Sequence, residues 1–259
     1  MVPVDAPFTP WVLGALLVGL IGFLAWRGGP RDRQEYARFK RYRSTRSRQV
    51  MMRRWIFESF GWFGGASLVV LACVWAYIPR MLAQVETWPA MRWLRDLDAD
   101  SGMVRGLVVG VAIGLVVAVV VFIFVGREAK QVHAIGDIHA LLPRNRAELK
   151  YGLALSINAG LVEELLFRLA MPTLIFALSS NAIIAVASSL LAFGLMHAYQ
   201  GISGVIGSFI LGVIFMALFL VTGNIIWPII VHALFDIRSL VFIPMLVYGV
   251  HKQTDATSR

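Results

Sequence analysis

The sequence predicts an all-α fold: a polytopic transmembrane bundle of about seven spans, within a range of roughly six to eight, around a buried polar site. Three observations lead to this prediction. Hydrophobic residues make up 58% of the chain and charged residues only 15%, whereas soluble domains are about 25% charged. Apolar runs about as long as a bilayer-spanning helix recur along the chain. Several C-terminal runs carry carboxylates, histidines or an arginine at depths where hydrocarbon would surround them.

Seven apolar runs are candidate membrane spans, because a bilayer core needs about 20 apolar residues per helix. In order, they cover residues 11–26, 56–78, 104–125, 151–178, 182–199, 202–221 and 225–250. The first is short, and the last is expected to be split or kinked near Pro244. A further span hidden within 83–97 or 132–142 would change the count. Breaks are expected between the runs, at Gly28, Gly29, Pro30 and Pro79.

The distribution of positive charge predicts an orientation for these spans. Residues 27–54 hold eleven Lys or Arg, and residues 127–150 hold five. Residues 79–103 hold three arginines, offset by four acids. Because loops rich in Lys and Arg stay inside, we expect residues 27–54 and 127–150 inside and residues 79–103 outside. The N-terminus is then outside and the C-terminus inside. The leader has no Lys or Arg, so the first run is expected to be an uncleaved anchor rather than a signal peptide.

We expect three parts along the chain. Residues 1–130 would form N-terminal spans with a basic cytoplasmic loop at 27–54, residues 131–250 a helical core that carries the polar site, and residues 251–259 a short tail. The net charge of +9 is concentrated in the basic loop. Between two spans, such a loop fits anionic lipid better than nucleic acid. We therefore predict a multi-pass protein whose partner is the lipid bilayer, with no nucleic acid. The Ala-, Arg-, Val- and Gly-rich composition suggests a bacterial cytoplasmic membrane.

The stretch LVEELLFRL, residues 161–169, places three charged residues inside the fourth run. Such groups cost several kcal/mol at bilayer depth unless they pair or line water. Glu164 and Arg168 are four residues apart and share one face of a helix, which favours a structural ion pair. Glu163 lies about 100° around the helix from Glu164, so it faces another neighbour. The stretch therefore divides into a paired carboxylate and a free one, and the free one is the candidate for function.

Two later runs each carry a further polar group. His197 ends the stretch FGLMH, and His232 and Asp236 are four residues apart in VHALFD. Asp236 is placed either to orient His232, to contact a shared site with it, or to pair with the nearby Arg238. Since these groups start at different depths, a common site requires bent or offset helices around a cavity.

This set of residue types suits the activation of water. A glutamate can take a proton from water, and imidazole donors can stabilise a developing oxyanion. The same side chains could instead hold a divalent metal such as zinc, in which case the ligands would be Glu163, His197, His232 and Asp236.

The three motifs, in this order and on separate spans, resemble those of the intramembrane endopeptidases named for CAAX proteases and bacteriocin-processing enzymes (the CPBP family). EELLFR is similar to its E-E-x-x-x-R motif, FGLMH to F-x-x-x-H, and HALFD to H-x-x-x-(N or D). The resemblance covers roughly residues 140–240. It implies a membrane-embedded peptidase of either the glutamate or the metallo type. The implied catalytic residues are Glu163 as the base, Glu164 and Arg168 as its support, and His197, His232 and Asp236 in the oxyanion and water site.

Two positions depart from the family pattern. Leu169 stands where many members carry Gly, and Asp236 where the CAAX-processing members carry Asn.

The expected substrate is a hydrophobic or membrane-bound peptide or protein, and lipid-anchored ones are included. Three alternatives remain: a non-catalytic scaffold or immunity protein, a proton-linked transporter, and a rhomboid-type serine protease, which would use Ser203 of GISG with His232. No cofactor is required if the glutamate mechanism operates.

Overall fold

The computed structural model describes residues 6–27, 31–102, 106, 110 and 137–253. Within these residues all regular structure is helical. The N-terminal helices are α1 (Thr9–Trp26), α2 (Asp32–Arg41), α3 (Thr45–Glu58), α4 (Gly65–Val74), α5 (Ile78–Val85) and α6 (Pro89–Ser101). The C-terminal helices are α7 (Arg146–Glu164), α8 (Met171–Ser179), α9 (Ala182–Met196), α10 (Gly201–Thr222), α11 (Ile226–Ile237) and α12 (Ile243–Leu246).

The fold class is confirmed as all-α, but the span count of about seven is not. Among the described residues, four helical runs are long and apolar enough to cross a membrane: Thr9–Trp26, Thr45–Val85, Ala182–Thr222 and Ile226–Leu246. The expected span 151–178 is helical throughout but carries three charged residues, so it is not among the four. Apart from residues 106 and 110, the expected span 104–125 lies outside the described residues, as do residues 127–136 of the second basic loop. The apolar helices indicate an integral membrane protein.

Small residues decide which helices come close together. A Cβ added to Gly160 on α7 would lie 2.8 Å from the backbone nitrogen of Ala233 on α11. Glycine therefore lets the two backbones touch, as small residues do between membrane helices. This contact brings Glu164, one turn further along α7, to His232. In the same way, Gly212 on α10 leaves room for the Phe193 ring of α9.

The helices that carry the polar motifs are irregular. A π-turn, Leu165–Ala170, separates α7 from α8, and its Phe167 carbonyl accepts a hydrogen bond from Ser189 Oγ at 2.6 Å. Pro172 follows at once, and its missing N–H removes one helical hydrogen bond there. A 3₁₀ turn, His197–Gln200, ends α9, and Gly201 with a φ of +83° lets the chain turn back as α10. The expectation of a break near Pro244 agrees with a second π-turn, Arg238–Phe242, before α12.

The N-terminal helices are anchored to this irregular core in two ways. Apolar side chains of α1, α4 and α5 pack with those of α8 and α9 in the main hydrophobic core. At the other end, α3 meets the start of α7 through Arg48 and Glu148, both fully buried, whose Nε and carboxylate oxygens are 3.0 and 3.1 Å apart. Helices α1, α3, α4 and α5 therefore lie against helices that carry the motifs.

Candidate active site

Glu164 stands at the centre of a buried charged cluster. Its Oε1 accepts a hydrogen bond from His232 Nδ1 at 2.8 Å, and its Oε2 lies 3.1 Å from Arg168 Nε. Glu164 and Arg168 have no exposed area, and His232 is 6% exposed. The ion pair expected between Glu164 and Arg168 is thus confirmed. Its extension to His232 on another helix was missed, because spacing within one helix carries no information on it.

The Arg168 guanidinium is stabilised mainly by charge and by aromatic rings. Its Nε, Nη1 and Nη2 are buried and make no hydrogen bond within the described chain, since the 3.1 Å approach to Glu164 lacks hydrogen-bond geometry. The guanidinium instead lies over the Phe193 ring, 4.2 Å from its centroid, with Phe215 at 5.9 Å. A cation placed over a ring face is attracted by the ring quadrupole. Phe193 belongs to the second motif, so Arg168 ties the first motif to the second.

Glu163 occupies the other face of α7, as the helical geometry predicts. Its Oε2 lies 3.9 Å from His197 Nε2, which is too long for a hydrogen bond, and no described group donates to this buried oxygen. His197 Nδ1 lies 2.9 Å from the Phe193 carbonyl. Because a carbonyl only accepts, Nδ1 carries the hydrogen, and a neutral ring then has a free lone pair on Nε2 facing Glu163.

His232 lies between two carboxylates. Its Nδ1 bonds Glu164, and its Nε2 is 3.7 Å from Asp236 Oδ2. The second distance is an ion-pair distance but not a hydrogen bond. Asp236 therefore does not fix the tautomer of His232 by a hydrogen bond, as was one expectation; Glu164 does. Arg238 lines the same cavity as Asp236.

A cavity of about 620 Å³ collects four of the six residues singled out in the sequence. Glu163, His197, His232 and Asp236 line it, whereas Glu164 and Arg168 lie behind its wall. Ser203, the rhomboid-type candidate, is exposed and does not line it. Within the described ranges, no group of three or more His, Cys, Asp or Glu side chains is arranged to hold a metal ion. The arrangement therefore presents two carboxylates and two imidazoles to one cavity.

Side chains of the N-terminal segment also line this cavity, which the sequence did not indicate. The residues concerned are Arg27, Asp32, Glu35, Tyr36, Trp55, Ser59 and Phe63. Tyr36 packs edge-on to Tyr199, whose ring stacks on His197 at 6.3 Å. Burial raises the pKa of the Asp32 carboxyl to about 6, although Arg27 beside it acts in the opposite direction. The only sequence signal was the pair of aromatics, Tyr36 and Phe39, on one face of an otherwise basic helix.

A family model described as type II CAAX prenyl endopeptidase, Rce1-like, matches residues 145–238. That segment contains all six candidate catalytic residues of the three motifs, and the resemblance to CAAX proteases is therefore confirmed over it. No curated protein and no solved structure matches the chain. The N-terminal side chains that line the cavity lie outside the matched segment.

Proposed function

We propose that this chain, whose residues 145–238 match the type II CAAX prenyl endopeptidases, is an intramembrane endopeptidase that cleaves membrane-associated peptides or proteins, lipid-anchored ones included. The single observation that carries the proposal is Glu163. It is a carboxylate with an unpartnered oxygen, facing an imidazole across 3.9 Å, on the wall of a cavity among apolar helices. An unpaired carboxylate at such a place is unfavourable unless a ligand or a reaction uses it.

The proposed reaction begins with a water beside Glu163 and His197. One water hydrogen points to Glu163 Oε2 and the other to the lone pair on His197 Nε2, which leaves the water's own lone pair free to attack. As the oxygen adds to the scissile carbonyl carbon, Glu163 takes the proton. The C–N bond then breaks, and Glu163 returns the proton to the leaving amine. The products are a new amine and a new carboxylic acid, which releases its proton to water and becomes a carboxylate.

His232 is the proposed stabiliser of the oxyanion. With Glu164 on one side and Asp236 on the other, the two carboxylates favour the imidazolium form. Its Nε2–H then donates to the tetrahedral oxygen, in a site where donors act strongly because water is scarce. Glu164 and Arg168 do not line the cavity, so we assign them as positioning residues: Glu164 orients His232, and Arg168 neutralises Glu164. No step requires a metal.

The first experiment is a map of new protein termini in membranes that express the wild type or Glu163→Gln at equal levels. Gln keeps the shape and removes the base. Termini that appear only with the wild type would support the peptidase and identify a substrate. Ser203→Ala is the matched control, because its exposed hydroxyl lies off the cavity, and it should give the wild-type map.

The other candidate functions predict different results. A scaffold or immunity protein would keep its function in Glu163→Gln and give no difference between the maps. A proton-linked transporter would lose pH-dependent flux instead. The map should be made in the source organism, where the native substrate is present. We further propose residues 131–250 as the catalytic core, and a bacterial cytoplasmic membrane with the N-terminus outside and the C-terminus inside.

A further inference from the structure

Asn158 is a polar side chain of the cavity wall that the proposed reaction does not use. Asn158 lies on α7, five residues before Glu163, and is 8% exposed. It lines the same cavity as Glu163, and its Oδ1 is buried without a hydrogen-bond partner among the described residues. Buried polar groups in folded proteins are nearly always hydrogen-bonded, so an orphaned carboxamide oxygen needs an explanation. A ligand that donates a hydrogen bond in the cavity would provide one.

Two other buried polar side chains on α7, Ser156 and Glu148, do have hydrogen-bond partners. Ser156 Oγ donates to the Gly152 carbonyl at 2.9 Å, on the face that packs against α11. Glu148 accepts hydrogen bonds from Arg48 and from the backbone of Arg144. Among the described residues of α7, only Asn158 and Glu163 both line the cavity and have a buried side-chain oxygen without a hydrogen-bond partner.

We propose that Asn158 Oδ1 accepts a hydrogen bond from a main-chain N–H of the substrate, and so fixes where the peptide bond lies relative to Glu163. The inference rests on the proposed peptidase function. It adds a specificity residue to that function: a proline, which has no N–H, is excluded from the peptide position that meets Asn158.

Helix geometry indicates which peptide position this is. Five residues of α-helix rise about 7.5 Å along the axis. An extended peptide advances about 3.3 Å per residue. Residues 158 and 163 also differ by about 140° around the helix, so the rise is a lower limit on their separation. The donating N–H therefore belongs to a residue at least two positions from the scissile bond.

If Asn158 had only a structural role, replacing it would lower the Tm. The proposed role in binding predicts no such loss. The Asn158 oxygen has no partner to lose, so Asn158→Leu, which is close in size, removes an unsatisfied polar atom from an apolar wall. We expect the Tm of this variant to equal or exceed that of the wild type. A weaker substrate interaction in a protein of equal or higher Tm cannot be attributed to damaged folding.

The test is a double-mutant cycle between the protein and the peptide backbone. Glu163→Gln, which holds the peptide without cleaving it, and Glu163→Gln/Asn158→Leu are placed in lipid nanodiscs. The probes are dye-labelled octapeptides, one series with an S-farnesyl cysteine four residues from the C-terminus and one without lipid. Each series includes single backbone N-methylations along the peptide. Binding is measured by fluorescence anisotropy, and Glu163→Gln/Ser156→Ala is the control for loss of a buried polar side chain on α7.

We expect one N-methyl position to weaken binding to Glu163→Gln about tenfold and binding to the Asn158→Leu double variant less than twofold. The Ser156→Ala control should reproduce the tenfold effect. An N-methyl effect of equal size with and without Asn158, at every position, would overturn the inference while leaving the peptidase intact. If neither peptide series binds Glu163→Gln, the proposed function fails and the inference fails with it.

Discussion

Two Arg–Glu pairs in the described part of the chain are fully buried, and they are built differently. Arg48 and Glu148 join α3 to the start of α7, whereas Arg168 and Glu164 lie beside the cavity; all four side chains have no exposed area. Arg48 Nε donates to both oxygens of Glu148, and its Nη2 donates to the carbonyls of Ala140 and Leu142. In contrast, the Arg168 nitrogens make no hydrogen bond in the described chain, and the Phe193 ring lies beneath them.

The difference shows what each pair is for. A buried ion pair is favourable only when further hydrogen bonds satisfy its remaining donors and acceptors. The Arg48 pair nearly meets this condition and so connects two parts of the fold. The Arg168 pair does not meet it, and one oxygen of its carboxylate is bonded to His232, a cavity residue. On the proposed mechanism, stability is given up at the second pair in order to orient the His232 imidazole.

Glu164→Gln should produce the largest effect. It leaves the Arg168 cation buried and uncompensated, which costs about 3–5 kcal/mol of stability. It also removes the negative charge that favours the His232 imidazolium, so we expect kcat in the remaining folded protein to fall about a hundredfold. The measurements are Tm in nanodiscs and the single-turnover rate of peptide cleavage. A variant that unfolds more easily yet cleaves at the wild-type rate would contradict the positioning role of Glu164.

Arg48→Met should affect stability alone. It leaves the Glu148 carboxylate buried without its cation, at a similar cost of about 3–5 kcal/mol. The folded fraction should cleave peptide at the wild-type rate, because neither residue lines the cavity. The double variant Arg48→Met/Glu148→Leu should regain part of the lost stability, since no buried charge remains. If Arg48→Met lowers kcat as strongly as Glu164→Gln does, the division between a structural and a functional pair is wrong.

Asp236→Asn should have a modest effect. The Asp236 carboxylate is 3.7 Å from His232 Nε2 and makes no hydrogen bond to it, so Glu164 remains as the main partner of the imidazole. We expect kcat/KM to fall about threefold, which corresponds to less than 1 kcal/mol. Steady-state kinetics with a substrate from the terminus map would measure it. A loss of a hundredfold or more would show that Asp236 touches the reacting atoms.

Asp32→Asn should have the smallest effect and a defined pH dependence. Burial raises the pKa of Asp32 from 3.8 to about 6. Its contribution to stability is therefore fully present below pH 3.8 and is lost as the pH rises through about 6. The Tm of Asp32→Asn should exceed that of the wild type above pH 6 and converge with it below pH 4. A Tm difference that is constant across this range would contradict the assignment.

The sequence predicted the local part of this architecture well. Apolar runs identified α1, α9, α10 and α11, and a spacing of four residues identified the Glu164–Arg168 pair, because both features depend on neighbours in one helix. The bond between Glu164 and His232 spans 68 positions in sequence, and no periodicity reports it. The π-turn after Glu164 was missed for a related reason: it is stabilised by Ser189 of another helix.

The contribution of the N-terminal helices could not be predicted either. Tyr36 was expected in the basic loop 27–54, and Trp55 falls between that loop and the expected span 56–78. Only the packing of α2 and α3 on the core directs both side chains to the cavity. Asn158 was missed because a single amide in an apolar run gives no signal until its lack of a partner is seen.

In the proposed reaction Glu163, and not its neighbour Glu164, takes the proton from water. The direct test is the single-turnover cleavage rate of Glu163→Gln, with Tm measured on the same sample. We expect the rate to fall about a thousandfold, within the range for a general base, at an unchanged Tm, because Glu163 Oε2 has no partner to lose. Cleavage by Glu163→Gln within tenfold of the wild-type rate would contradict the claim and remove Glu163 from the reaction.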